Sequence, residues 1–166
     1  YNARWILERA ARDYPMRLNA EKLKEKSAFL YNNLQEIRVC ENASKLLGLE
    51  GEAASVYFSV FDQLILQQKE NFSFRERSRR PPLDNVNAML SFAYSLLAGM
   101  CGSALEGVGL DPYVGFYHTD RPGRMSLALD MMEELRGIMA DRFVLTMINK
   151  RIVKKEYFIQ KENGAV

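Results

Sequence analysis

The residues best suited to chemistry lie within the segment 115–134, which contains the only histidine of the chain, His118. Further along this segment, Asp130 and Glu133 stand three residues apart on a helix that is predicted to begin near Ser126. Residues at this spacing lie on one helical face, so the two carboxylates can converge on a point that His118 could reach from the preceding loop. One imidazole and two carboxylates suit a divalent ion such as Mg²⁺ or Mn²⁺, and a third carboxylate would complete such a site.

Both kinds of residue also have a structural interpretation. A single histidine in a helical protein is commonly a structural residue, and neighbouring acids on a helix commonly form a solvated face. The neighbours of Asp130 and Glu133 are, however, apolar: Leu127, Leu129, Met132 and Leu135. At least one carboxylate is therefore expected to point inward, where it is costly unless it is paired or bound to a metal. The chain has no P-loop, GxGxxG or GxSxG motif that would indicate a different chemistry.

Glu52 is a further carboxylate, in a stretch that predicts a helix from Glu50 to Gln68. It lies in the first turn of that predicted helix, where a negative charge favours the positive end of the helix dipole. On position alone, the simplest interpretation of Glu52 is a surface residue that stabilises the start of its helix.

Two basic clusters indicate where phosphates could be held. The net charge of +2 is too small to indicate nucleic-acid binding by itself, but the positive charges are unevenly distributed. One cluster comprises Arg75, Arg77, Arg79 and Arg80, and the other comprises Lys150, Arg151, Lys154 and Lys155. The first lies in the aperiodic stretch 69–82, where Phe72 and Phe74 alternate with arginines, and this predicted loop is the best candidate for a polynucleotide contact. A solvated face, or a polar crossover between helices, is the alternative.

Length and composition favour one globular domain over residues 1–166. Hydrophobic residues make up 48% of the chain and charged residues 27%, which is ordinary for a globular protein with its own core. The two cysteines form no CxxC pair, so neither a zinc site nor a disulfide framework is expected. We find no signal peptide and no apolar run close to the roughly 18 residues that span a bilayer.

The hydrophobic periodicity predicts an all-α fold of roughly seven helices. Alternating strands and internal repeats are not found in the sequence. In the first half of the chain we predict a helix around Trp5 that ends at 13–15, a helix over 20–39 capped by Asn19, and a short helix over 41–47 stopped by Gly48. Further helices are predicted over 50–68 and over 85–105, the latter capped by Asp84. The last ones begin at Ser126 and, as one or two helices, after Glu134.

Four runs carry a resemblance to a known family. They are E-G-E-A-A-S-V-Y-F (50–58), R-R-P-P-L-D-N-V-N-A-M-L-S-F-A-Y-S-L-L (79–97), G-L-D-P-Y-V-G-F-Y-H-T (109–119) and S-L-A-L-D-M-M-E-E (126–134). In type and order they resemble the C-terminal helical domain of the CRISPR-associated spacer-acquisition integrase, the first-numbered family of CRISPR-associated proteins, in its I-C-like form. The resemblance extends over most of the chain, from about residue 32 to residue 158.

The resemblance implies a catalytic function. It implies a divalent ion, Mg²⁺ or Mn²⁺, bound by Glu52, His118 and Glu133, with Asp130 as a catalytic neighbour or alternative ligand. Under this assignment Glu52 is the third carboxylate of the site. The implied activity is that of a metal-dependent DNA endonuclease and integrase of CRISPR adaptation, in which the 3′-hydroxyl of a short foreign DNA attacks a phosphodiester at the CRISPR repeat.

The resemblance also implies partners and a cellular location. It implies double-stranded DNA as substrate, with Arg75, Arg77, Arg79, Arg80, Lys150 and Arg151 as DNA contacts. It implies a small ferredoxin-like CRISPR-associated partner protein, a homodimer of the full-length protein and a prokaryotic cytoplasmic location without a membrane. Family members carry an N-terminal β-rich domain that this sequence lacks, which predicts a fragment that could be inactive alone. A non-catalytic helical nucleic-acid-binding or scaffold module is the alternative.

Overall fold

The computed structural model describes residues 1–119, 121–162 and 164–166. Within these ranges it contains helices and no strand, so the all-α prediction is confirmed. The α-helices are α1 (Asn2–Asp13), α2 (Ala20–Arg38), α3 (Ala43–Phe58), α4 (Asn85–Gly107), α5 (Ser126–Leu135) and α6 (Arg142–Asn149). A π-helical segment, Arg136–Asp141, joins α5 to α6, and short 3₁₀ turns occupy Phe61–Leu64 and Lys155–Tyr157.

Side-chain caps set the start of three helices. Asn19, Asn42 and Asp84 each accept a hydrogen bond from the backbone N–H three residues further on, which satisfies one of the free donors at the start of α2, α3 and α4. The caps at Asn19 and Asp84 were predicted from the sequence and are confirmed. The cap at Asn42 was not predicted.

Helix α3 differs from its prediction. The sequence predicts a stop at Gly48 and a new helix from Glu50, whereas α3 runs without interruption from Ala43 to Phe58. Neither Gly48 nor Gly51 has a positive φ, and neither has a neighbour within 4 Å of the position that a Cβ would occupy. The two glycines therefore only weaken the helix, by about 1 kcal/mol each relative to alanine. Packing of α3 against α2 compensates for this loss. Glu50 therefore lies in the middle of a helix and not at its start.

The core lies where the helix pairs meet the segment that joins α5 to α6. Helix α1 packs on α2, α4 packs on α5, and the π-helical segment contacts α1, α4, α5 and α6. The largest fully buried side chains include Leu7, Leu23, Phe61, Phe72, Ile65, Leu90 and Ile148. This arrangement places the C-terminal half of α5 and the π-helical segment between α1 and α4.

The sequence was expected to contain no apolar run long enough to span a bilayer, and helix α4 contradicts this expectation. It spans 23 residues with a mean hydropathy of 1.5 in its most apolar window, so by length and composition alone it could cross a membrane. The core helix of a globular protein passes the same test. Here 39% of that window is buried: Val86, Leu90, Leu97 and Leu105 pack against the rest of the protein, whereas Phe92 and Leu96, which were expected in the buried pattern, are exposed. Gly102, but not Gly99, allows the close packing that was predicted for both, because Met125 Sδ lies 3.0 Å from the position of a Cβ at Gly102.

Asn87 anchors the arginine-containing loop to α4. Its amide is fully buried, donates to Glu76 O at 2.8 Å, and accepts from the Arg77 guanidinium at 2.7 Å and from the Ser78 N–H at 3.1 Å. We expect Asn87→Ala to lower the free energy of unfolding by about 2–4 kcal/mol, because it leaves several buried polar groups without partners. Urea unfolding would measure this, with Ser95→Ala on the exposed side of the same helix as the control. Equal effects of the two substitutions would contradict the anchoring role.

Candidate active site

Asp130 organises the loop that carries the histidine. Its side chain lies on α5, is inaccessible to solvent, and accepts the backbone N–H groups of Phe116 at 2.9 Å, Tyr117 at 3.0 Å and His118 at 2.9 Å. Three consecutive donors on one carboxylate fix the loop in a single conformation. Burial would raise the pKa of Asp130, but these hydrogen bonds and the one from His118 together lower it, so the carboxylate is ionised at neutral pH.

Gly115 allows the loop to approach α5 this closely. A Cβ at this position would lie 2.6 Å from the backbone oxygen of His118 and 2.6 Å from Ser126 Cβ. No side chain fits there without moving backbone atoms. The glycine of the G-F-Y-H run is therefore needed for the contact between the loop and Asp130.

The orientation of His118 follows from the same carboxylate. Its Nδ1 lies 2.6 Å from Asp130 Oδ1, and because an ionised carboxylate can only accept, Nδ1 carries the proton. The Nε2 atom then presents a lone pair on a side chain that is 23% exposed. A carboxylate that fixes the tautomer of an imidazole in this way is a common arrangement behind metal-binding histidines.

Glu133 lies one turn further along α5 and is held by an arginine. Both Glu133 oxygens accept hydrogen bonds from the Arg136 guanidinium, at 2.7 and 2.5 Å. The same guanidinium lies over the Tyr94 ring, 5.2 Å from its centroid. Burial raises the pKa of Glu133 and the negative charge of Glu50 raises it further, while Arg136 and His118 oppose the rise. Glu133 therefore shares one electrostatic environment with Glu50 and His118.

Glu50, and not Glu52, is the α3 carboxylate that faces this environment. Glu50 Oε2 accepts a hydrogen bond from the Tyr117 hydroxyl at 2.9 Å, and burial together with this bond raises the pKa of Tyr117 to about 12. Glu50, Ala53, Ala54 and Tyr57 follow helical spacing and line one cleft. Glu52 is exposed and does not line it, since two residues along a helix turn the side chain by about 200°.

The cleft between α3 and α5 has a volume of about 870 Å³ and is lined by Glu50, Tyr117, Asp130, Glu133 and Arg136, among others. Its carboxylates, on two helices, suit a hard or borderline divalent ion. Phe116 and Tyr117 of the histidine loop line the cleft, whereas His118 follows them in the loop and is not among the lining residues. Three His, Cys, Asp or Glu side chains do not come together as ready metal ligands anywhere in the described ranges. Two contacts of the described residues account for this: Asp130 is saturated by its own hydrogen bonds, and Glu133 is paired with Arg136.

The lining of the cleft also includes a buried polar network that was not predicted from the sequence. The Tyr94 hydroxyl donates to Asp141 Oδ1 at 2.5 Å, and Asp141 is only 3% exposed. Burial raises the pKa of both Asp141 and Tyr94. The only sequence signal was an aspartate within the apolar run 138–145. The Tyr94 ring joins this network to Arg136, whose guanidinium lies 5.2 Å from the ring centroid.

The predicted DNA contacts fall into two groups. Arg75, Arg79 and Arg80 are exposed, as are Lys150 and Arg151, and Arg151 also donates to the Gln67 side chain at 2.9 Å. Arg77 is instead partly buried: its guanidinium donates to Asn87, to Ser91 and to Ser78 O, and lies over the Tyr94 ring. Its hydrogen bonds are used within the fold, so the structure does not present Arg77 as a surface cation.

Comparison with known proteins identifies the family. The fold defines a helical protein with a candidate active site, a cleft lined by carboxylates from two helices next to a histidine-containing loop. The family model described as "CRISPR associated protein Cas1" matches residues 1–166, and the chain belongs to this family.

Several curated relatives are similar over nearly the whole chain. The CRISPR-associated endonuclease Cas1 2 of Rhodospirillum rubrum is 52% identical over 99% of this chain, and the CRISPR-associated endonuclease Cas1 1 of Chlorobaculum tepidum is 48% identical over 99%. These matches cover 49% and 48% of the two relatives. The chain therefore spans about half the length of these relatives.

Solved structures show the same fold. A casposase bound to integration product matches with a TM-score of 0.75 at 30% identity, covering 98% of this chain and 44% of that one. A Cas1 protein from Thermotoga maritima matches equally well, with 51% of its chain covered. A partial Cas6-RT-Cas1–Cas2 complex matches with a TM-score of 0.79 at 26% identity, covering 96% of this chain and 47% of that chain.

Proposed function

We propose that this chain is the catalytic domain of a divalent-metal-dependent DNA endonuclease and integrase of CRISPR adaptation. The observation that carries the proposal is the cleft in which Glu50 and Glu133 face each other from α3 and α5 beside a histidine whose tautomer Asp130 fixes. Family membership and the similarity to a casposase bound to integration product support the same reaction class.

Glu50, His118 Nε2 and Glu133 are the groups that would hold the ion. When bound, a divalent cation of this kind polarises the scissile phosphate and lowers the pKa of the attacking hydroxyl or water. Tyr117 orients Glu50 through its hydroxyl, and Asp130 orients His118 and carries no ligand role of its own, because its oxygens already accept four hydrogen bonds. Glu50 thus takes the place that the sequence analysis gave to Glu52.

Arg136 has a part in the same site. Its guanidinium neutralises Glu133 and is held over Tyr94, so a cation that binds Glu133 shares or displaces this ion pair. A positive side chain this close to a phosphodiester site can also stabilise the charge that develops on the phosphate oxygens. Both roles follow from the position of Arg136 one helical turn after Glu133.

The substrate and partners follow from the same assignment. DNA is the proposed substrate, with Arg75, Arg79, Arg80, Lys150 and Arg151 as exposed phosphate contacts. A small ferredoxin-like CRISPR-associated protein is the proposed partner, supported by the similarity to Cas1 chains in Cas6-RT-Cas1–Cas2 complexes. Dimerisation and complete integration are properties that we assign to the longer protein. A scaffold function without metal is the second candidate, because Asp130 and Glu133 already have partners within the fold.

A thermal melt with and without Mn²⁺ tests the proposal, using Glu50→Gln and Glu52→Gln as a matched pair. Both substitutions remove one negative charge from the same helix, but only Glu50 lines the cleft. We expect millimolar Mn²⁺ to raise the melting midpoint of the wild type and of Glu52→Gln by several degrees. The melting midpoint of Glu50→Gln should be the same with and without Mn²⁺.

Other outcomes of the Mn²⁺ melt would support a different ligand or the scaffold function. A response lost in Glu52→Gln and kept in Glu50→Gln would restore the original assignment of Glu52. No response in the wild type would favour the scaffold function. Cleavage of a DNA duplex by the same three proteins gives an independent readout, and we expect activity to fall at least about a hundredfold in Glu50→Gln only.

A further inference from the structure

A second cleft, on the other side of α1, is lined by six of the 23 lysines and arginines of the protein. It has a volume of about 1200 Å³ and is formed by α1, the turn 14–18, the start of α2 and the face of α6. We call it the basic cleft, and its cationic lining residues are Arg9, Arg12, Arg17, Lys24, Arg142 and Lys150. Only Lys150 was identified as a phosphate contact from the sequence.

The residues that line the basic cleft carry a larger net positive charge than the whole chain does. Its six cations are accompanied by two acidic residues, Glu8 and Asp13, which leaves a net charge of +4. The whole chain carries +2, so all remaining residues together sum to −2. The basic cleft is therefore an electropositive surface on a molecule whose remaining residues are, in sum, slightly acidic.

Most of these cations make no ion pair within the described ranges. Arg9 and Arg12 share the single carboxylate of Asp13, at 3.3 and 2.9 Å. Arg17, Lys24, Arg142 and Lys150 are all exposed, and none of the four makes an ion pair with another described residue. Unpaired cations around one concave surface repel each other, so their position favours an anionic ligand.

Trp5 gives the basic cleft an aromatic surface. It is the only tryptophan of the chain, lines the cleft and is 50% exposed. The Arg4 guanidinium lies 5.1 Å from its ring centroid and the Tyr1 ring contacts it edge-on, so the indole is held in place. An exposed, fixed aromatic ring among cations is suited to stacking on a nucleobase whose phosphates the cations hold.

The basic cleft borders the candidate active site. Asn2 and Ile138 line both clefts, and Asn2 donates to Glu134 O on α5 at 2.6 Å. A polynucleotide that lies in the basic cleft can therefore pass the first turn of α1 and reach the cleft of Glu50 and Glu133. No comparable continuity links that cleft to the exposed arginines 75, 79 and 80 among its described lining residues.

We infer that the basic cleft binds the phosphodiester backbone of DNA and leads it to the candidate active site, with Trp5 as a base-stacking residue. The inference rests on the proposed function for its choice of DNA as ligand. It assigns the main DNA contact to Arg17, Lys24, Arg142 and Lys150, and it makes the loop 69–82 a lesser contact.

Titration of the chain with a single-stranded oligonucleotide and with a duplex, followed by Trp5 fluorescence, tests the inference directly. EDTA is kept in the buffer so that binding is read without any metal ion. We expect one or both DNA forms to quench the fluorescence, with an affinity that falls as salt rises. The double substitution Arg17→Glu and Arg142→Glu is expected to weaken binding at least about tenfold. For a matched single reversal, Arg142→Glu should weaken binding measurably, whereas Lys45→Glu on the exposed surface of α3 should change it less than about twofold.

The outcomes separate this inference from the proposed function. If neither DNA form changes the fluorescence, or if the double variant binds as tightly as the wild type, the basic cleft is not a DNA site. A Mn²⁺ response in the thermal melt combined with that result would leave the proposed active site intact. DNA binding that depends on Arg17 and Arg142 without any Mn²⁺ response would support the cleft and overturn the metal site.

Discussion

Replacing Asp130 by asparagine is expected to cause a large loss of stability and the loss of the Mn²⁺ response. Asparagine keeps the size of the side chain, but its NH₂ group would face donors where Asp130 now accepts from Phe116, Tyr117 and His118. Leaving buried N–H groups without an acceptor costs about 1–3 kcal/mol each at most sites, so we expect the free energy of unfolding to fall by about 3–5 kcal/mol. Urea unfolding and a melt with Mn²⁺ would measure the two effects.

Asp111 supplies the control for this substitution. Its side chain accepts the N–H of Tyr113 at 2.9 Å in the same connection, but it is exposed to solvent. Water can replace the lost acceptor there, so Asp111→Asn should cost less than about 1 kcal/mol. If the two substitutions have similar effects, the loop does not depend on the buried carboxylate.

The contribution of Asp130 to the free energy of unfolding is expected to decrease at acidic pH. The folded protein lowers the pKa of Asp130 below its value in the unfolded chain, so the carboxylate contributes stability that is fully present above about pH 4. This contribution is lost as the pH falls through the folded pKa. The difference in unfolding free energy between the wild type and Asp130→Asn should therefore be constant near neutrality and shrink below about pH 4.

The sequence predicted the elements of this site whose geometry is local. Three features depend on residues within one or two turns: capping by Asn19 and Asp84, the start of α5 at Ser126, and the inward direction of at least one carboxylate of α5, which the structure shows to be Asp130. Whether a helix continues through Gly48 and Gly51 depends instead on its packing against α2, which no local pattern encodes. The expected stop at Gly48 placed Glu50 and Glu52 at the start of a helix, and the resemblance implies Glu52 as the ligand. The structure instead places Glu50 in the cleft.

Because sequence patterns are local, they also could not predict the environment of Arg77 or the existence of the basic cleft. Arg77 stands in a run of surface arginines, yet α4 surrounds its guanidinium with Asn87, Ser91 and Tyr94. The basic cleft combines cations from α1, the turn 14–18 and α2 with Arg142 and Lys150 at the two ends of α6. Because the last two lie more than 100 residues from the others, these cations form no cluster in the sequence. Sites assembled from distant segments become visible only when the fold is known.

Replacing Arg136 by glutamine is expected to tighten Mn²⁺ binding. The guanidinium now makes two hydrogen bonds to Glu133, and its positive charge opposes a second cation at the same carboxylate. At a separation of about 4 Å, two unit charges interact by roughly 4 kcal/mol at an effective dielectric constant of 20, and the partial exposure of this pair reduces that value. We therefore expect a gain in Mn²⁺ affinity of about tenfold, measured by isothermal titration calorimetry.

Arg142 provides the matched control, because it belongs to the same helical run but lines the basic cleft instead of contacting Glu133. Arg142→Gln should leave the Mn²⁺ affinity unchanged. Weaker Mn²⁺ binding by Arg136→Gln would show that the arginine holds Glu133 in the orientation that the ion requires. In that case the cation–π contact with Tyr94 and the buried Tyr94–Asp141 hydrogen bond would support the metal site through Arg136, and removal of the Tyr94 hydroxyl should weaken Mn²⁺ binding in the same direction.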